Sequence, residues 1–391
     1  MDPREAGTIR VKVAVLGGGR VGATIAQDLA DDFDVTVFDH DSDTIHRLRA
    51  SGLRVEERDL SSEAAVRTAV ADFDLVVGAI SSVLGFQTLK AVLEAGKNYC
   101  DISFMAEDYR TLMPLAMERG VTAIVDCGVG PGMTNMFAGW AAEELTPCDR
   151  IEILVGGIPE TRSWPFEYKV AFAPSDVIEE YTRPARFVCG GRMVVREALS
   201  DVERVEFERV GTLEAFNTDG LRSLLHTLDV PEMTEKTLRY PGHAEQMRVF
   251  REAGFFQEAP LRLGDVDVRP VSVTAALLFP HWSYEEGEVD LTLLRVTAEG
   301  GPEGRRERLR WELFDRYDET SHTRSMARTT GFPAAIMARF LAEGRFAKPG
   351  VFPPEIPAQV PGLLDAMLDA HAARGVHYRF TRSTRTERRS A

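Results

Sequence analysis

The stretch Val13-Ala14-Val15-Leu16-Gly17-Gly18-Gly19-Arg20-Val21-Gly22 decides how the N-terminal third of this chain folds. Residues 9–16 form a β-branched apolar run of strand length, and residues 23–29 read as a helix. The glycine pattern is weak by itself and gains weight from lying between a strand and a helix. Gly17 permits a tight turn, Gly19 lets the backbone approach a pyrophosphate, and Gly22 lets the helix pack on the strand. The helix N-terminus, with Arg20 and Val21 in the loop, faces the anion. A second apolar run over residues 35–38 closes with Asp39, which is placed to accept hydrogen bonds from an adenosine ribose. Asp39-His40-Asp41 repels a 2′-phosphate, and no Arg directly follows Asp39. The expected cofactor is therefore NAD rather than NADP.

The same alternation continues outward. Residues 53–55, 75–80, 98–102 and 121–125 read as further strands, and residues 61–70, 88–95 and 112–119 as helices. Strand and helix alternating at this spacing predict an α/β fold, a doubly wound parallel Rossmann sheet. Asp59, after the third strand, either sits near the adenine or caps a helix. Ala79, Ile80 and Ser81 leave the fourth strand, either under the phosphates and nicotinamide ribose or as an ordinary turn.

After Gly130 the pattern changes. Residues 135–145 read as a helix. Strand-like segments at 151–155, 204–207, 237–240, 291–296 and 309–313 predict a second, α+β domain. Residues 300–304 read as a hairpin loop, and the 291–296 strand is a candidate dimer sheet edge. Residues 330–343 and 363–374 are helical, residues 349–357 are a Pro-rich connector, and the basic tail at 382–389 is expected to be disordered. The predicted division is a nucleotide-binding domain at residues 1–130 and 330–391, with a substrate-binding and dimerisation domain at 131–329.

The chain has 391 residues, 44% hydrophobic and 27% charged, which suits two cores rather than disorder. Lys plus Arg is 46 against 61 Asp plus Glu, a net charge of −15, so nucleic acid is not an expected partner. No apolar run is long enough for a membrane span. The scattered Cys100, Cys127, Cys148 and Cys189 predict neither a disulfide framework nor a metal site and fit a reducing compartment. The start, Met1-Asp2-Pro3-Arg4-Glu5, has no apolar signal core, so the cytoplasm is expected.

Asp126-Cys127-Gly128-Val129-Gly130-Pro131-Gly132 leaves the sixth strand. Ligands of open α/β sheets bind beyond the strand C-termini, so this segment is expected to line a cleft or to serve as a hinge between domains. Gly128-Val129-Gly130-Pro131-Gly132-Met133, together with Val155-Gly156-Gly157-Ile158-Pro159, Glu180-Tyr181-Thr182-Arg183-Pro184-Ala185-Arg186, Leu213-Glu214-Ala215-Phe216, Thr218-Asp219-Gly220-Leu221-Arg222-Ser223 and Leu238-Arg239-Tyr240-Pro241-Gly242-His243, carries a resemblance. From Val13 to about Pro354 the chain resembles the saccharopine dehydrogenase-like family, and within it the lysine 6-dehydrogenase branch. The resemblance implies a Rossmann domain, an inserted α+β domain for substrate and dimer contacts, C-terminal helices returning to the first domain, and a homodimer or higher homo-oligomer. Saccharopine-forming reductases look to have Asn-Arg-Asp where this chain has Asn217-Thr218-Asp219, and an aromatic where His243 stands. Loss of an Arg suits a substrate with fewer carboxylates.

The implied reaction is NAD-dependent oxidation of the ε-carbon of L-lysine. Hydrolysis of the imine then releases ammonia and allysine, which cyclises to 1-piperideine-6-carboxylate. The ε-ammonium, with an ordinary pKa of about 10.4, must first lose a proton. His243 is the first candidate for that transfer and Asp126 the second; Asp126 alternatively holds the nicotinamide carboxamide. Glu167, beside Tyr168, and Asp219, beside Thr218, are candidates to steer a cationic substrate. Arg239 and Arg222, and more weakly Arg183 and Arg186, are candidate carboxylate clamps. The structural alternatives are a turn histidine, solvated acids and inter-domain ion pairs. Two rival functions stay open: a condensing reductase of the saccharopine or carboxynorspermidine type, and an NAD-binding regulatory protein without turnover.

Overall fold

A computed structural model describes residues 10–170 and 174–385. The chain divides into two compact units, Met1–Gly132 with Thr330–Pro357, and Met133–Thr329 with Ala358–Ala391.

In the first unit the chain runs β1 (Lys12–Leu16), α1 (Arg20–Leu29), β2 (Asp34–Asp39), α2 (Ser42–Ala50), β3 (Arg54–Glu57), α3 (Glu63–Val70), β4 (Leu75–Gly78), α4 (Ser82–Glu94), β5 (Asn98–Asp101), α5 (Met113–Arg119) and β6 (Thr122–Ile124). All pairings are parallel, and β1 lies between β2 and β4. Val13 to Leu16 and Leu75 to Val77 are fully or almost fully buried, as expected for strands covered on both faces. Asp41 caps α2 by accepting from the Thr44 N–H (2.8 Å), and Ser62 caps α3 from the Ala65 N–H (3.3 Å).

The second unit contains α6 (Met133–Glu144), β7 (Cys148–Pro159), α7 (Pro174–Thr182), β8 (Ala185–Cys189), β9 (Arg192–Arg196), β10 (Glu203–Phe207), β11 (Gly211–Asn217), α8 (Leu224–Thr227), β12 (Glu232–Arg239), α9 (His243–Glu252), β13 (Leu261–Leu263), β14 (Val266–Val268), α10 (Pro270–Trp282), β15 (Asp290–Gly300) and β16 (Arg306–Arg316). Helix α11 (Ser325–Ala342) starts in this unit, and from Thr330 the chain belongs to the first. There β17 (Gly350–Phe352) pairs with β6, followed by α12 (Glu355–Ala358). The chain ends with α13 (Leu363–Ala372) and β18 (Tyr378–Arg385), both in the second unit. The second sheet runs β10-β11-β12-β7-β15-β16-β18, with β8 and β9 branching from β12. The β7–β12 pair is parallel and the other pairs are antiparallel.

Four expectations are corrected. Residues 350–352 of the Pro-rich connector are a strand, completing the first sheet beside β6. Residues 378–385 pair with β16, so the part of the basic tail up to Arg385 is ordered in the second sheet rather than disordered; residues 386–389 lie outside the described residues. From Ala358 onward the chain belongs to the second unit, not the first. Segment 291–296 is not a sheet edge either, because β15 is paired on both sides, by β7 and β16.

Candidate functional site

The glycine loop is built as its spacing requires. Gly17 adopts φ +96°, a conformation open to glycine at no steric cost, and its N–H donates to the Phe38 carbonyl (2.9 Å). A Cβ at Gly22 would drive into the Gly17 carbonyl oxygen, so the start of α1 rests directly on the turn. No atom lies within 4 Å of where a side chain on Gly19 would begin. That open approach, the N-terminus of α1 and the neighbouring C-terminal ends of β1 and β4 fit the pyrophosphate of a dinucleotide. Arg20 and Val21 open α1, and Ala79, Ile80 and Ser81 form the turn between β4 and α4, where the Ala79 N–H donates to the Leu16 carbonyl (2.8 Å).

Asp39 ends β2 beside this loop. Its Oδ2 accepts from the Gly18 N–H (2.6 Å) and its Oδ1 from the Asp41 N–H (2.9 Å). Each carboxylate oxygen has a second lone pair for a ribose hydroxyl. The fold also brings a cation that reading along the chain did not place there: Arg47 on α2 donates to the Gly18 carbonyl (3.3 Å). Asp59 does not cap α3, whose cap is Ser62; it is exposed and accepts from the Ser61 N–H (2.8 Å), which holds its carboxyl below the usual range.

The C-terminal end of the first sheet carries two buried acids. Asp126 follows β6 at φ +55°. Asp101 ends β5 and accepts from the Tyr99 hydroxyl (2.7 Å), the Ser103 N–H (2.6 Å) and the Ser103 hydroxyl (2.7 Å). Burial pushes its carboxyl up to about 6 against those hydrogen bonds, and the charge of Asp126 adds to the rise. Asp101 was missed in the sequence although, like Asp39, it is an acid closing a buried strand.

In the second unit Glu235, Thr237 and Arg239 alternate along β12 and so share one face. Arg239 is sealed, with its side chain 3% exposed. Its Nη2 donates to Glu180 Oε2 (2.8 Å) and to the Tyr168 hydroxyl (3.3 Å), its Nη1 donates to the Leu238 carbonyl (2.9 Å), and its guanidinium lies 4.5 Å from the Tyr168 ring centroid. It therefore anchors Glu180 rather than standing open as a carboxylate clamp. Thr218 donates to Glu235 Oε2 (2.6 Å) and lies 2.8 Å from the Thr237 hydroxyl; the Gly220 N–H donates to the same Glu235 oxygen (3.1 Å). Burial, opposed by the Thr218 hydrogen bond and helped by the charge of Glu180, pushes the Glu235 carboxyl up to about 7. Asp219 is not a free steering charge, because Arg186 grips it with Nε and Nη2 (both 2.8 Å). Glu167 is paired with Arg162 (2.6 Å), and Arg183 is paired with Glu179. Arg222 is half-buried just after the Asp219-Gly220 turn. Asp126, Glu167 and Arg222 are three of eight non-glycine residues at positive φ among those described, a strain that gathers at functional sites.

His243 opens α9 and is buried. Its Nδ1 faces the Phe166 carbonyl (3.4 Å), which can only accept, so Nδ1 carries the proton and Nε2 accepts from the Tyr181 hydroxyl (2.7 Å). Burial, followed by the charge of Arg239, drives its pKa down to about 3. This geometry corrects the expectation of a free proton acceptor: both ring nitrogens are engaged and the ring is neutral at pH 7. A depressed pKa stabilises the fold above the ordinary 6.5 and withdraws that stability as pH falls from 6.5 towards 3. Urea unfolding of the wild type should weaken between pH 6.5 and 4, by up to about tenfold in the equilibrium constant per pH unit from this group. His243→Gln should flatten that slope, and an unchanged slope would contradict the assignment.

Among the described residues no helix is long and apolar enough to cross a membrane. Comparison with known proteins then decides the family. The Saccharopine dehydrogenase NADP binding domain matches residues 13–124, and the Saccharopine dehydrogenase C-terminal domain matches residues 128–375. The chain belongs to the saccharopine dehydrogenase family. It is 23% identical to the mitochondrial alpha-aminoadipic semialdehyde synthase of Bos taurus over 421 residues, covering 88% of this chain and 45% of that protein. The chain thus spans less than half the length of that relative. It is 24% identical to carboxynorspermidine synthase of Vibrio cholerae, covering 60% of this chain and 58% of that one. The structure of saccharopine dehydrogenase (L-Glu forming) from Saccharomyces cerevisiae shares the fold, with a TM-score of 0.78 at 19% identity over 95% of this chain and all of that one.

Proposed function

We propose that this saccharopine dehydrogenase family member is an NAD-dependent oxidoreductase that deaminates L-lysine at the ε-carbon. The observation that carries the reading is the Thr218–Glu235 contact. Where the condensing reductases of the resemblance have an Arg, this chain has a hydroxyl bonded to a buried acid. The nearby Arg239 is already committed to Glu180. Such a site favours a substrate with ammonium groups over one with several carboxylates. Asp39 supports NAD over NADP, with Arg47 as the cation whose position weighs against it.

The dinucleotide, when bound, supplies the hydride acceptor. The residues of this chain do the rest. Asp126 and Asp101, at the strand ends where dinucleotides bind this fold, are the acids we propose to take the ε-ammonium proton. Loss of a proton and a hydride from the ε-amine leaves an imine, and water cleaves it to aldehyde and ammonium. Purified protein with L-lysine and NAD should produce reduced nicotinamide, more slowly with NADP. A second reading, condensing reduction, is favoured by the similarity to carboxynorspermidine synthase. It would be established by silence with lysine and cofactor oxidation when reduced nicotinamide, an amine and an oxo-acid or aldehyde are combined.

A further inference from the structure

Glu235 is a buried acid without a counter-cation among the described residues. Both of its hydrogen bonds, from the Thr218 hydroxyl and the Gly220 N–H, fall on Oε2. Its other oxygen, Oε1, accepts no hydrogen bond among the described residues, although the residue is only 6% exposed. The neighbouring cations are used elsewhere. Arg239 serves Glu180, Arg186 serves Asp219, and Lys236 donates to Glu203 (2.6 Å) and to the Asp201 carbonyl (2.8 Å). His243 is held neutral. Glu180 adds a second negative charge close enough to be felt at Glu235, and its side chain is 24% exposed. A desolvated carboxylate with an unpaired oxygen is a strong acceptor for a cationic donor.

We infer that Glu235 Oε1, backed by Glu180, is the seat of a primary alkylammonium group: the α-ammonium of the amino-acid substrate. The assignment rests on the proposed lysine reaction, in which the ε-nitrogen must be neutral to react, so the ammonium that stays charged is the α one. Thr218 and Gly220 orient Glu235, and Arg239 orients Glu180. These three are positioning residues and touch no substrate. Thr218 is also a specificity determinant, because a cationic side chain there would satisfy Glu235 from within.

The test is calorimetric titration of the dinucleotide-loaded protein with L-lysine and with 6-aminohexanoate, which lacks the α-ammonium. The wild type should prefer lysine by about thirtyfold or more, the lower range for a desolvated charge pair. Glu235→Gln, which keeps the side-chain shape, and Thr218→Lys, which supplies an internal cation, should each bring the two ligands within about threefold. Circular dichroism matching the wild type shows that each variant is folded. A preference that survives Glu235→Gln would overturn the inference, as would a wild type that binds the two ligands equally or not at all. Discrimination that depends on Glu235, without hydride transfer from lysine, would overturn the proposed reaction and leave the ammonium seat standing.

Discussion

Gly22→Val abolishes dinucleotide binding, with loss of at least about a hundredfold in affinity and of all turnover that depends on it. The position has no room for a side chain, since a Cβ would meet the Gly17 carbonyl and then the Ala79 side chain. Relief requires α1 to lift from β1. That moves the N-terminus that faces the anion and the Gly17 turn whose N–H is tied to Phe38. Fluorescence titration with reduced nicotinamide dinucleotide reads the effect directly. Gly19→Ala is the informative partner. It adds its methyl group into open space, so it spares the fold while narrowing the approach of a phosphate. Near-normal binding by Gly22→Val would show that the loop is not the dinucleotide site.

The second large effect is on stability. Arg239→Met should destabilise the protein by about 3–5 kcal/mol, the range for removing one partner of a buried ion pair. The substitution leaves Glu180 without its guanidinium, removes a donor from the Tyr168 hydroxyl, and loses the cation stacked 4.5 Å from the Tyr168 ring centroid. Arg239→Lys should fall between the two, because an ammonium keeps the charge but not the fork that reaches Glu180, Tyr168 and the Leu238 carbonyl together. Urea midpoints read the series, and a wild-type midpoint in Arg239→Met would contradict the assigned role. A small loss in Arg239→Met together with a large loss of lysine binding would instead return Arg239 to the role of substrate clamp.

The first unit was legible because its strands are covered on both faces and therefore run continuously apolar, and because Gly17, Gly19, Gly22 and Asp39 each answer a separate geometric demand. Strand β17 was not legible: three residues between prolines have no pattern of their own, and only pairing with β6 makes Gly350–Phe352 a strand. In β18 a signal was present. Tyr378 and Phe380 alternate with Arg379 and Thr381, and both aromatic rings pack in the Phe137–Trp311 cluster, but the basic composition masked that alternation. The candidate site divides in the same way. Tyr168, Arg239 and His243 do come together, yet with Glu180 and Tyr181 as their partners. Glu180 and Glu235 were missed because residue type cannot single out an acid in a chain with 61 of them. Burial and partners distinguish them, and both are tertiary properties.

The measurement that tests the central claim most directly uses L-lysine carrying two deuterium atoms on the ε-carbon. The protein is supplied with NAD, and the reduced nicotinamide is analysed by mass spectrometry. Transfer of one deuterium to the nicotinamide, with release of ammonia and a cyclised aldehyde, is the predicted result. Reduced nicotinamide without deuterium, or no reduction with lysine alongside cofactor oxidation in the amine and oxo-acid mixture, would contradict oxidation at the ε-carbon.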